Sequence, residues 1–474
     1  MQHYLPVLPD LFLAVGATLV LLLGPLRDGK NLREFLRWVS LLIVGATAAL
    51  LVAVNRGADG GLVADGWLTS APMHVAFGVV FLATIAWTLL AAPVPDDNAG
   101  EWYSMLLFLA TGMLVLARAA NLATVFLGIE LLSISLYVLI AFYYGRRPSL
   151  RAGIMYLVLA GFASGFLLFG MALVYAAYGT IDLAGIRAAA VAAPMGTMPL
   201  VGFGLLLVGV GFKLAAVPFH MWTPEVYEAS PGTVTGLIAS SSKGAMLAAF
   251  IPFLFLLTTH WQVLWLFAAL SMVGGNLLGL REMRVKRILA YSSIAHIGYV
   301  LVGLLGGDAV AQNAAFLPEI TGVKAVFFYV AAYAVSILGA FAALSYVDGE
   351  NDLTLRDLRG VARRNPIVAI CLLVFVWSLA GLPPTVGFFG KIYLFSAGVN
   401  AGYLWLPLIG LLGSAIGIYY YLRIVVHLFM MPADAADVKV RASVLQEWVM
   451  LATAVVVVLL GTFPETVFAF MRAF

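Results

Sequence analysis

Apolar runs of roughly 20 residues recur along the whole chain, separated by short polar stretches. A helical run of that length crosses the ~30 Å hydrocarbon core of a bilayer. The runs fall near residues 8–26, 38–54, 74–92, 102–117, 121–143, 152–178, 199–222, 233–256, 262–280, 288–306, 322–346, 366–397, 403–430 and 447–470. They predict an all-α polytopic membrane protein of about 14 transmembrane helices. Two runs are unusual. The seventh holds Pro218 in mid-span, the twelfth holds Pro383-Pro384, and the twelfth is too long for one straight helix. Proline removes a backbone donor and clashes with the preceding turn, so helices 7 and 12 are predicted to be broken. A break at membrane depth is tolerated only where it faces protein or a water-filled cavity.

The two breaks occupy corresponding places. Helices 4–8 form one block of five and helices 9–13 another, each with its broken helix fourth. Five is odd, so the blocks are expected to lie inverted relative to each other, the arrangement that marks transport sites. Chance placement of prolines, which are common in membrane helices, is the plain alternative. The expected division is residues 1–101 for helices 1–3, 102–257 for the first repeat, 258–431 for the second and 432–474 for helix 14.

Composition agrees with a membrane class. Of 474 residues 63% are hydrophobic and 10% charged, with a mean hydropathy of +1.03. The single cysteine, Cys371, rules out an intrachain disulfide, an iron–sulfur cluster held by four thiolates, or a four-cysteine zinc site within the chain. No Walker loop or Gly-x-Gly-x-x-Gly motif follows a strand-like run. The first apolar run lacks a basic leader, so it reads as a span and not as a cleaved signal.

Charge placement sets the expected orientation. With the N-terminus outside, the inner loops take Arg27, Lys30, Arg33 and Arg37; Arg146, Arg147 and Arg151; Arg281, Arg284, Lys286 and Arg287; Arg356, Arg359, Arg363 and Arg364; and Lys439 and Arg441. Only Arg56, Arg118, Arg187 and Arg472 fall outside. That bias follows the positive-inside rule and puts both termini on the outer side.

Five cations remain within spans: Lys213, Lys243, Lys324, Lys391 and Arg423. A charge at mid-bilayer costs roughly 2.5 to 3.5 kcal/mol on insertion scales, so each is a functional-site hypothesis. Lys213 lies five residues before Pro218, Lys391 seven after Pro384, and Lys243 follows Ser240–Ser242. Each also reads as a lysine that snorkels to the interface. Glu130, within VFLGIELLSISLYVL, is either a partner for Lys213 or a protonated packing group. Hydrocarbon weakens a lysine's hold on its proton and a nearby carboxylate restores it. An acid–base pair followed by further lysines can therefore relay protons without a cofactor. His220 and His296 are second-rank members, each equally readable as a packing residue. Lys324 lies near a helix end, Arg423 follows three tyrosines, and Glu225 and Glu228 read as solvated loop charges.

The stretches VPFHMWTPEVYEASPGTVTGLIASSSKGA, LAYSSIAHIGY, LAGLPPTVGFFGKIYLF and YYYLR resemble the antiporter-like membrane subunits of respiratory complex I, the proton-pumping NADH:quinone oxidoreductase. The resemblance covers essentially the whole chain and is greatest to bacterial subunit N. Lys391 stands where subunit M typically has glutamate, and no long lateral helix of the subunit L type is expected.

The resemblance implies fourteen helices with two inverted five-helix units. It implies a relay of Glu130, Lys213, Lys243 and Lys391, with His296 at the family's tenth-helix histidine. Lys324 matches subunit L better than N, which leaves its role open. The implied order is a changed Glu130–Lys213 interaction, passage by way of Lys243 to Lys391, and release outside. FMN, iron–sulfur clusters and quinone are expected in partner subunits of a bacterial inner-membrane complex, with no cofactor or metal in this chain. The alternatives are a subunit of a multi-subunit Na+/H+ antiporter and a purely structural membrane subunit.

Overall fold

The computed structural model describes residues 2–26, 29–55, 61–93, 95, 97–143, 145–192, 195–253, 260–307, 317, 320–347, 353–432 and 440–472. Arg27, Arg56 and Lys439 lie outside those residues. Among the described residues, thirteen helices are long and apolar enough to cross a membrane. The predicted span missing from that set is the twelfth, which is divided. Pro366–Ala380 and Val386–Asn400 are separate helices of 15 residues each, because Gly381 turns left-handed at φ 77 and Pro383-Pro384 follows. The last span also differs from its expected range. It ends at Thr462, and Glu465–Arg472 forms a separate short helix after Pro464.

The chain forms two compact units, Met1–Leu214 with Ser241–Phe253 and Met471–Phe474, and Ala215–Ser240 with Leu254–Phe470. In the first, long helices run Leu8–Leu23, Lys30–Asn55, Pro72–Ala91, Ala99–Ala117, Leu122–Ile140, Arg147–Tyr178 and Thr197–Leu214, and the shorter Lys243–Phe250 packs among them. Phe162, Phe166 and Phe169 lie on the outer face of Arg147–Tyr178 and are exposed. Lipid takes the place that water has around a soluble protein, so apolar side chains need no shelter and polar ones do.

The first unit buries charges that the sequence suggested for loops. Arg118, fully buried, donates to Asp10 Oδ2 at 2.6 Å and to the Pro6 carbonyl at 2.8 Å. Arg37, also buried, donates to the Leu89 and Leu90 carbonyls at 2.7 and 2.5 Å. It thereby caps the carbonyl end of Pro72–Ala91, where positive charge is favourable.

The second unit packs Trp261–Arg281, Val285–Leu305, Gly322–Ser345, the two half-helices, Trp405–Phe429 and Val444–Thr462. The short helices Thr223–Ala229 and Gly232–Leu237 belong with it. Here too a loop reading needs correction. Glu228 is buried and pairs with both Arg284 and Arg287, the latter at 3.3 Å. Arg287 also meets Glu282 at 3.0 Å. Lys286, counted above as a loop charge, is buried in the first turn of Val285–Leu305 and donates to the Ser230 carbonyl at 2.9 Å. Glu225 is exposed, as expected.

Removing one partner of a buried ion pair leaves an uncompensated charge, at a cost of about 3–5 kcal/mol. Asp10→Ala is therefore expected to lower the melting temperature and membrane yield of the protein. Asp10→Ala combined with Arg118→Leu should recover much of the loss. A single variant as stable as the parent would contradict the pairing.

Candidate functional site

In the first unit the site begins at a helix cap. The Asn121 side chain accepts from the Thr124 amide at 2.8 Å and starts Leu122–Ile140. Residues one turn apart share a helix face, which sets Glu130 beside Ser133. Glu130 accepts a hydrogen bond from Ser164 Oγ at 2.5 Å. Lys213, only 6% exposed, donates to Ser133 Oγ at 2.6 Å, and Ser133 in turn donates to the Ile129 carbonyl at 2.5 Å. The rings of Tyr156 and Tyr137 flank the ammonium at 5.7 and 6.0 Å, the outer range of cation–π attraction. Glu130 and Lys213 thus share a neighbourhood without a direct ion pair, a serine lying on each.

Lys213 occupies the last turn of Thr197–Leu214, where the helix dipole favours a cation. The helix stops there because Ala215 turns left-handed at φ 60 and Pro218, which cannot donate a helical hydrogen bond, follows three residues later. Lys243, 2% exposed, follows a π-helical turn, Ile238–Ser242. Such single turns widen a helix locally and often sit at functional positions. Its helix packs against Ala99–Ala117 and Thr197–Leu214, and Ser241 beside it donates to Thr84 Oγ1 at 2.6 Å.

In the second unit the backbone beyond the first break is held by a side chain. The Val217 amide donates to Ser271 Oγ at 2.9 Å, replacing the helical partner that the break removes. His220 follows, half-buried, with Nδ1 shut from solvent and lacking a hydrogen-bond partner among the described residues.

At the second break the Gly381 and Leu382 amides close on the Ser378 and Trp377 carbonyls at 2.9 and 3.2 Å. The Ala380 carbonyl remains for Lys391, whose ammonium donates to it at 2.8 Å and to Ser414 Oγ at 2.7 Å. The Tyr299 ring lies 5.3 Å from the same nitrogen. The carbonyl end of one half-helix therefore receives the cation carried by the other.

His296 is buried nearby. Its Nδ1 meets Tyr329 Oη at 2.6 Å and its Nε2 meets Tyr421 Oη at 3.2 Å. Lys324 is exposed near the start of Gly322–Ser345, apart from these buried groups. Arg423 donates to the Leu280 carbonyl at 2.7 Å and to Met283 Sδ at 2.8 Å, so it caps Trp261–Arg281.

A family profile described as NADH:quinone oxidoreductase/Mrp antiporter, transmembrane, matches residues 119–417, more than half of the chain. The chain is 39% identical to NADH-quinone oxidoreductase subunit N of Trichlorobacter lovleyi, over 90% of this chain and 88% of that one. It is 38% identical to subunit N of Geobacter metallireducens, over 98% and 97% of the two chains. The chain belongs to the NADH:quinone oxidoreductase/Mrp antiporter membrane family. A chain of respiratory complex I from Thermus thermophilus with bound aureothin superimposes with a TM-score of 0.82 at 32% identity, covering 97% of this chain and 98% of that one. A chain of the Mrp complex from a Dietzia species, 20% identical, matches with a TM-score of 0.85 over 99% and 96% of the two chains and shares the fold.

The antiporter-family match encloses Glu130, Lys213, Lys243, His220, His296, Lys324 and Lys391. Sequence reasoning missed the groups that hold these residues: Ser133, Ser164, Ser414, Tyr299, Tyr329 and Tyr421. Their one signal is hydroxyls inside apolar runs, which occur throughout the chain. No cluster of three or more His, Cys, Asp or Glu with metal-binding geometry occurs among the described residues.

Gly381 supplies a direct test of how Lys391 is held. A Cβ there would lie 2.7 Å from Lys391 Cδ and 2.9 Å from Nζ, at a backbone angle that favours glycine. Gly381→Ala is expected to displace the ammonium and to change the activity of the assembled complex about as much as Lys391→Ala does. A Gly381→Ala variant with normal activity beside an impaired Lys391→Ala variant would show that the ammonium's position at Ala380 is dispensable.

Proposed function

We propose that this chain is the N-type proton-translocating membrane subunit of an NADH:quinone oxidoreductase. It moves protons through buried Glu130, Lys213, Lys243 and Lys391 while electron transfer proceeds in other subunits. FMN, iron–sulfur clusters and quinone belong to those partners, and the chain contributes no redox chemistry of its own. The observation that carries the reading is the identity to subunit N relatives along nearly their full length. The residues fit the task. Lys213 and Lys391 each lie against a serine hydroxyl and tyrosine ring at a broken helix. This likeness supports the two-repeat organisation, helices 4–8 and 9–13, with helices 1–3 and 14 as additions.

In the proposed cycle redox energy reaches the chain through neighbouring membrane subunits and alters the Glu130–Lys213 interaction. Since Glu130 and the serine that holds Lys213, Ser133, lie one turn apart on one helix face, a side-chain movement would join or separate the two groups. The proton then passes by way of Lys243 to Lys391 and leaves on the outer side. His296 and His220 are auxiliary proton positions, and Lys324 is left outside the main line. The basic loops face the cytoplasm and both termini the outer side of a bacterial inner membrane.

The family description also covers Mrp antiporters, so a cation/proton antiporter subunit is the second reading. Lys391→Met and Glu130→Gln, introduced into the assembled complex, are expected to lower protons translocated per electron and to slow coupled NADH oxidation severalfold. Normal stoichiometry in both assembled variants would remove these residues from the relay.

A further inference from the structure

Between Lys391 and His296 the second unit holds a line of polar side chains in close succession, with one unusual member. Ser414 Oγ accepts from Lys391 at 2.7 Å, and the Tyr299 ring lies 5.3 Å from the same ammonium. Tyr299 Oη accepts from Asn276 Nδ2 at 3.0 Å. Asn276 Oδ1 accepts from Tyr420 Oη at 3.0 Å. Tyr420 packs against Tyr421, their ring centroids 4.7 Å apart, and Tyr421 meets His296 Nε2 at 3.2 Å. Every member except Ser414 is buried, Asn276 at 1% exposure.

The orientation of the Asn276 amide is fixed by chemistry. Its nitrogen lies 2.7 Å from the Met272 carbonyl, and a carbonyl only accepts. The opposite atom is therefore the oxygen, and Tyr420 must donate to it. Both amide hydrogens and the amide oxygen are engaged. A Cβ on Gly413 would come within 2.8 Å of the nitrogen, so the facing helix leaves just the room that the amide fills.

Hydroxyls, imidazole and amines both accept and release protons; a side-chain amide does not. For a proton to cross Asn276, Oδ1 would take one from Tyr420 and Nδ2 would give one to Tyr299. That would leave the high-energy imidic acid. We propose that Asn276 is an insulating link that holds the Lys391 cluster and the His296 cluster together while blocking proton exchange between them through protein groups. The inference rests on the relay reading of Lys391. Passage between the two clusters then requires a water or a side-chain movement, which lets the redox cycle time it.

Aspartate at this position removes the block. A protonated carboxyl accepts a proton from Tyr420 on one oxygen and releases its own to Tyr299 from the other, ending protonated as it began, while Tyr421 refills Tyr420. The test uses the complete complex in liposomes, without NADH, under a valinomycin–potassium potential, with a trapped pH dye. Asn276→Asp is expected to raise proton entry severalfold over the parent and, with NADH, to lower protons per electron. Asn276→Leu, which cannot relay, should stay as tight as the parent. Adding Lys391→Met to Asn276→Asp should abolish the extra entry. If the aspartate variant does not assemble, Asn276→Ser carries the same expectation through its hydroxyl. An assembled relay-competent variant as tight as the parent overturns the proposal, and so does equal leakage in the leucine variant. Passive entry is read without turnover, so this failure is distinct from unchanged stoichiometry in Lys391→Met alone, which would refute the relay.

Discussion

An ammonium group inside hydrocarbon needs oxygen around it, and this chain draws that oxygen largely from interrupted helices and hydroxyls. Lys391 rests on the carbonyl end of Pro366–Ala380, and Lys213 ends its own helix against Ser133. A continuous helix uses its carbonyls internally, so each break creates the acceptor or dipole end that a buried cation requires. The prolines and the lysines are thus two parts of one arrangement.

Neutral partners have a consequence for function. A lysine locked in a carboxylate ion pair must leave that attraction before it can release a proton. Hydroxyls and tyrosine rings orient an ammonium with weaker, replaceable contacts. The first unit keeps its carboxylate one helical turn away, on Ser164, where a small rearrangement can change what Lys213 feels. The second unit surrounds Lys391 and His296 with phenols that can each pass a hydrogen bond onward. Ion pairs are used elsewhere, between Asp10 and Arg118 and around Glu228, where holding position is the role.

Much of this was legible in the sequence because membrane insertion leaves few options. Run length gave the spans, and Pro218 and Pro383-Pro384 gave the breaks. Lys213, Lys243 and Lys391 stood out because charge is so costly at mid-span. What escaped depends on lateral packing. Hydropathy reports depth along a helix and says nothing of which neighbour it meets. Lys286, Arg37, Arg118 and Glu228 therefore read as loop charges, although each finds a partner in the interior. The same blindness hid Ser133, Ser414 and Asn276, ordinary residues until a second helix brings the lysine or phenol. It also hid the two serines, Ser164 on Glu130 and Ser133 on Lys213, that hold these groups.

The most direct test of the central claim is NADH-driven proton movement by the assembly purified through a tag on this chain. The assembly would be reconstituted with a quinone in sodium-free vesicles. The account predicts quinone reduction accompanied by proton uptake that needs no sodium. An assembly without NADH:quinone activity that instead exchanged sodium for protons down an imposed gradient would contradict it.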